Sequence, residues 1–318
     1  MNLFDIVLAV NWPAAFYLAS AGIVVVLEPI ASSSVPWLPS ILQKSVQTFL
    51  GFGKTLPVKK HGNSWWIRFM TVPKSWFGHF YVVSSSVGLL SCFLLYIVYG
   101  RGVAPPSWVF SSLDLLTSPR RQPSDSSLLS VTSVVLLTVQ CCARFYECYF
   151  VSVFSSSAVM NVLQYAVGFL HYISAFTLLL SHTPALVSGG STSLVYTTEE
   201  VAFCIACSFY FGLAFAVQRD SIARLARLRK EAKLVQGRAG SYVLPVGGAF
   251  EYVSCPHMSA EVIMYTALFA LHRNAATAIM WLFVFSNQVH VALSNHRWYR
   301  SIFADYPLSR RAICPGLL

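Results

Sequence analysis

The sequence predicts an all-α polytopic membrane protein, a bundle of seven transmembrane helices. Three observations carry that prediction: composition, the recurrence of membrane-length apolar stretches, and the placement of positive charge. Apolar residues make up 56% of the 318 and charged residues only 11%, with a mean hydropathy of +0.60. A soluble domain carries about 25% charged residues, so a water-solvated surface cannot be covered by this chain. A helix needs roughly 20 apolar residues to cross a hydrocarbon core of about 30 Å. Such stretches recur near 6–28, 76–99, 128–154, 159–182, 201–217, 259–272 and 275–294.

The first stretch follows Asp5 with no basic residue before it, so it lacks the positive leader of a secretory signal and is read as an uncleaved helix. The loop after it, about 29–75, is basic, and the second stretch is free of charge. Pro105, Pro106, Pro119, Pro123 and several serines mark 101–127 as an irregular connection. The third stretch is interrupted by Arg144 and Glu147, three apart and so able to meet as an ion pair on one helical face. The Ser/Gly/Thr run 188–193 after the fourth stretch reads as another irregular connection. Beyond the fifth, Gln218, Ile222, Leu225 and Leu228 recur at helical spacing between arginines, which predicts that this helix continues into the cytosol. The sixth and seventh are separated only by His272, Arg273 and Asn274, as a tight hairpin or a partly re-entrant element.

Cytosolic loops collect Lys and Arg. Seven crossings place Lys44, Lys54, Lys59, Lys60, Arg68 and Lys74 on one side, with Arg219, Arg224, Arg227, Arg229, Lys230, Lys233, Arg238, Arg297, Arg300, Arg310 and Arg311. That is 17 of the 22 basic residues, against Arg101, Arg120, Arg121 and Arg273 opposite. The N-terminus is therefore expected in the lumen and the C-terminus in the cytosol. The net charge of +10 is accounted for by attraction to anionic membrane lipids, with no nucleic-acid motif present. No loop is long enough for a soluble core, so residues 1–318 are read as one membrane domain: a helix and cytosolic loop over 1–68 and a helical bundle over 69–318. No metal site is expected, since Cys204 and Cys207 lie within an apolar stretch without a second ligand pair.

Chemistry is sought among the ionisable groups inside hydrocarbon, where each costs about 2.5–3.5 kcal/mol on insertion scales. Arg144 and Glu147 serve as a structural pair or a catalytic one. Glu261, at the start of the sixth stretch, has no cation within one helical turn and so reads as a ligand-binding acid or as a complement to the helix dipole. The basic run 218–238 suits anionic lipid or a phosphorylated ligand. The run from Asn295 to Pro307 packs imidazole, guanidinium and phenol just past the last stretch, as a nucleotide site or a membrane anchor would. Pro245, Gly247 and Gly248 break helix, and their spacing is not that of a dinucleotide-binding strand–turn–helix.

Taken together, Pro245-x-Gly247-Gly248-x-Phe250-x-Tyr252-Val253-Ser254, then Glu261, then His296-Arg297-Trp298-Tyr299 and Phe303-x-Asp305-Tyr306-Pro307 resemble the C-terminal half of the steroid 5-alpha-reductase family. Residues 69–84, 144–155 and 250–256 make the chain most similar to its polyprenol reductase branch. The resemblance implies a seven-helix endoplasmic reticulum enzyme that binds NADPH within the bundle, chiefly through residues 218–318, and saturates the alpha-isoprene double bond of a long-chain polyprenoid lipid on the way to dolichol and protein N-glycosylation. Carried across by motif, Glu261 matches the acid that holds the nicotinamide carboxamide, and Tyr299 and Arg229 match further nucleotide contacts. Gln218 and Tyr242 match less specifically, and His296, Arg297 and the neighbouring Asn295 lie in the motif. Arg227 and Lys230, with Arg229, form a cluster suited to a 2′-phosphate. His257 stands where relatives have Asn, and Gln140-Cys141-Cys142 where steroid enzymes place a tyrosine near the substrate carbonyl. Thr71 stands in the region of their carbonyl-polarising acid.

Hydride adds to an alkene only when a conjugated carbonyl can hold the resulting charge. The immediate substrate is therefore expected to be the polyprenal rather than the polyprenol, with a separate oxidoreductase interconverting alcohol and aldehyde. Donors aimed at the developing enolate oxygen are sought among Tyr242, His257, Arg144 and Glu147. The competing readings are a membrane methyltransferase of isoprenylated or phospholipid substrates, a steroid 5-alpha-reductase, and a lipid-binding scaffold without activity.

Overall fold

The computed structural model describes residues 9–32, 38–51, 71–123, 126–155, 158–236 and 242–317. Lys54, Lys59, Lys60, Arg68 and Arg238 of the basic loops lie outside the described residues. The seven apolar stretches are helices: α1 (Trp12–Ala31), α3 (Phe77–Leu95), α5 (Ser127–Tyr146), α6 (Val162–Ser181), α7 (Thr198–Gln236), α8 (Pro256–His272) and α9 (Ala275–Ile302). Among the described residues, two shorter helices stand between them, α2 (Ser40–Leu50) and α4 (Ser107–Thr117). Six of the seven are long and apolar enough to cross a membrane; α8, with 17 residues, is shorter.

Local chemistry sets the boundaries. Asn11, Ser126, Asn161 and Asn274 each accept a backbone N–H of the turn that follows, capping α1, α5, α6 and α9. Thr197 and Glu200 form a reciprocal capping box at the start of α7, at 2.8 and 3.2 Å. Between α8 and α9, Arg273 takes a left-handed conformation (φ 47°) and Asn274 caps the next helix, so the tight hairpin is the form adopted. α3 and α5 each end in a π-helical turn, Tyr96–Gly100 and Glu147–Val151.

Three features depart from the sequence reading. The connection 101–127 is not wholly irregular, because α4 lies within it and packs on α6. α9 runs through Ile302, well past its apolar stretch, since charged side chains at an interface do not oppose helix, whereas the run of α7 through Gln236 is the continuation that the spacing of Gln218, Ile222, Leu225 and Leu228 predicts. A short antiparallel ladder, β1 (Thr71–Pro73) with β2 (Val159–Asn161), ties the entrance of α3 to that of α6.

The seven long helices pack as a closed ring in the order α1, α6, α3, α5, α7, α8, α9 and back to α1. Its interior holds Tyr17, Leu137, Phe176, Met264 and Tyr265, all fully buried. Leu90, Phe93, Ile205 and Phe209 stay 59–68% exposed on the outside, as residues that face lipid do. At the end away from the basic extension of α7, Arg121 pairs with Asp114 at 2.8 Å and donates to the carbonyls of Ser181 and Leu186, closing the bundle.

Candidate functional site

A cavity of about 420 Å³ opens within the ring at the end that bears the basic segments. All seven long helices contribute to its wall. One side is apolar, from Ile23, Val24, Phe77, Phe80, Met160, Leu163, Phe283 and Val284; the other carries Arg144, Gln218, Arg229, His257 and Glu261.

Glu261 projects from the second turn of α8 toward α7. There the Gln218 Nε2 donates to its Oε2 at 2.6 Å and to the His257 carbonyl at 3.3 Å. The partner of this acid is thus an amide 43 residues earlier, invisible to a search within one helical turn. Gln218 is 2% exposed and its Oε1 has no hydrogen-bond partner among the described residues, an acceptor left open in a buried wall. Arg144 and Glu147 meet as expected, Nη1 to Oε2 at 2.6 Å, with Glu147 almost wholly buried and Arg219 a distant second cation at 3.9 Å. Arg229 reaches back to the Val153 carbonyl at 3.1 Å, while Lys74 on the same cavity wall feels its like charge.

The remaining candidates lie elsewhere. Arg227 and Lys230 point outward from the exposed part of α7. Tyr242 is 47% exposed with its ring against Trp298, 4.7 Å between centroids, and does not line the cavity. Asn295 donates to the Val291 carbonyl of its own helix at 2.8 Å. Arg297 pairs with Glu28 of α1 at 2.7 Å, beside the His290–Glu28 contact, so the last and first long helices are locked together. His296 and Tyr299 help to dock the C-terminal segment. The His296 Nδ1 meets the Ser254 hydroxyl at 2.7 Å and the Tyr306 hydroxyl at 3.2 Å, and the Tyr299 ring lies parallel to that of Tyr306. Burial pushes the Tyr306 phenol above its ordinary range, which keeps it a hydrogen-bond donor.

That docking explains the Pro245–Ser254 motif locally. Ser254 and Cys255 donate backbone N–H to Arg311 and Ala312, and Arg310 donates to the Pro245 carbonyl at 3.0 Å. Gly247 and Gly248 take φ of 83° and 57°, and a Cβ there would sit 2.7 Å from Arg224 and 2.9 Å from Asp220. Only glycine lets this loop run so close to α7.

Several polar groups on the cavity wall were not singled out by sequence: Tyr81, Gln164, His171, Tyr172, Asn287, Gln288 and His290. The rule that intramembrane charges need a function finds acids and bases only. Extended to amides, imidazoles and phenols inside apolar stretches, it points to these residues.

The family model described as 3-oxo-5-alpha-steroid 4-dehydrogenase matches residues 159–318. A polyprenal reductase of Drosophila melanogaster is 34% identical over 255 residues, covering 79% of this chain and 78% of that one. That of Danio rerio is 34% identical over 288 residues, with 88% and 90% covered, and that of Homo sapiens 31% over 261, with 79% of each. The family model covers half of the chain and these relatives most of it, so the chain belongs to the steroid 5-alpha-reductase family.

Proposed function

We propose that this protein is an oxidoreductase that reduces the alpha-isoprene double bond of a polyprenal, giving the dolichal, with NADPH as reductant. It is a multi-pass membrane protein whose substrate is a polyprenoid lipid. Endoplasmic reticulum residence, a cytosolic C-terminus and coupling to an alcohol–aldehyde oxidoreductase are parts of the same proposal, as is assignment of residues 218–318 to cofactor binding.

The observation that carries the reading is the Glu261–Gln218 pair, set in the wall of a cavity that is otherwise largely apolar. A carboxylate and an open amide oxygen are acceptors for the N–H groups of a carboxamide, so the donor set fits a nicotinamide. Lys74 and Arg229, two like charges on one cavity wall, suit the phosphates, and the exposed Arg227 and Lys230 suit a 2′-phosphate beyond it. When bound, the dihydronicotinamide supplies hydride. Every other part of the task falls to the chain: Glu261 and Gln218 orient, the ring of helices excludes water, and the apolar wall of Ile23, Val24, Phe77 and Phe283 accepts an isoprenoid chain.

Saturation by hydride requires conjugation, so purified protein with NADPH is expected to reduce polyprenal and to leave polyprenol untouched. Product analysis by lipid mass spectrometry checks this. Saturation of the alcohol with no aldehyde formed would overturn the aldehyde as substrate.

A further inference from the structure

We infer that Tyr81 of α3 is the acid that protonates the substrate carbon, with Arg144 as the cation that holds the phenolate it leaves. The inference rests on the proposed polyprenal reduction and adds the group that completes it.

Saturating a double bond takes a hydride and a proton. The β carbon of the enal accepts hydride from the dihydronicotinamide, the double-bond pair passes into the enolate, and a proton must then reach the α carbon. The donor has to be an acid that is buried, faces the cavity and gains a counter-charge on ionising. Tyr81 meets these conditions together. It lines the cavity yet is 4% exposed overall. Its hydroxyl accepts from the Arg144 Nε at 3.4 Å, and the guanidinium carbon stands 5.1 Å from the ring centroid. Arg144 is itself held by Glu147 at 2.6 Å, so it cannot swing away as charge develops. Tyr81 and Glu261 line the same cavity, so the phenol shares its wall with the proposed nicotinamide contact.

The other protic groups suit the role less well. Tyr172 stands against Tyr81, 5.4 Å between ring centroids, but among the described residues no hydrogen bond joins it to a cation. The His171 Nε2 is engaged with the Tyr265 hydroxyl at 2.8 Å, and Tyr242 is outside the cavity. After transfer, the Tyr81 phenolate beside Arg144 recovers its proton from water as the product leaves. The sum is enal, NADPH and one proton to saturated aldehyde and NADP+.

The experiment compares wild type and Tyr81→Phe in lipid nanodiscs with NADPH and a short-chain polyprenal. Tyr81→Phe is expected to bind NADPH as the wild type does, by nicotinamide fluorescence, with little change in KM, a kcat at least a hundredfold lower and a larger solvent deuterium isotope effect. Unchanged NADPH binding shows that the variant is folded. Tyr81→3-fluorotyrosine, which carries a more acidic phenol of nearly the same shape, is expected to retain turnover and to move the alkaline limb of the kcat profile to lower pH. A Tyr81→Phe enzyme as fast as wild type, or an alkaline limb unmoved by fluorination, would overturn the assignment. A wild type that binds NADPH but does not reduce polyprenal would overturn the reading beneath it as well.

Discussion

Glu261→Gln is expected to weaken NADPH binding by about ten- to a hundredfold, the equivalent of the roughly 1.5–3 kcal/mol that a hydrogen bond to a charged group contributes. The substitution keeps the shape of the side chain and removes its charge. Gln218 then faces a second amide in place of a carboxylate, losing its 2.6 Å charge-assisted contact. A charged acceptor for a carboxamide N–H disappears at the same point. Nicotinamide fluorescence titrated into the purified protein reads the loss directly. A lipid-binding scaffold would tolerate the change, so unaltered NADPH affinity and turnover would remove Glu261 from the site.

Arg144→Met is expected to destabilise the protein by about 3–5 kcal/mol, because it leaves a buried carboxylate without its main counter-ion. Glu147 is 3% exposed at its side chain, and its only other cation among the described residues, Arg219, stands 3.9 Å away and 42% exposed. Arg219 is too solvated to replace a guanidinium in direct contact. Pairing Arg144→Met with Glu147→Leu removes both charges and is expected to recover most of the loss. Thermal unfolding in detergent micelles, followed by tryptophan fluorescence, compares the three proteins. A single variant as stable as wild type would show that Glu147 is neutral or solvated in the folded state.

Hydropathy finds where a segment leaves water, and it located all seven long helices to within a few residues at most of their apolar ends. It is blind to α2 and α4, which are too short and too mixed in character to read as spans, and to the β1–β2 ladder, whose pairing joins residues 86 to 90 positions apart. The Arg144–Glu147 pair was legible because both partners sit on one helix, where spacing alone brings them together. Glu261 was legible as an acid in an apolar setting, but its Gln218 partner comes from a different helix. The C-terminal motif shows the opposite difficulty. Its density of His, Arg and Tyr suggests a nucleotide site, whereas His296, Arg297 and Tyr299 make their described contacts to Ser254, Glu28 and Tyr306. A motif records which residues are present together and leaves open whether they face a ligand or one another.

The sequence alone determined the class of molecule and the existence of the long helices, because each depends on how a segment partitions between water and hydrocarbon. Tertiary structure decided which faces meet. Closing seven helices into a ring brings α1 against α9, so that Arg297 finds Glu28 across 269 residues, and sets Tyr81 beside Arg144 from another helix. Lipid is equally favourable to every apolar face, so hydropathy cannot choose among helix neighbours; packing and the few buried polar contacts make that choice. The cavity and its chemistry follow from it.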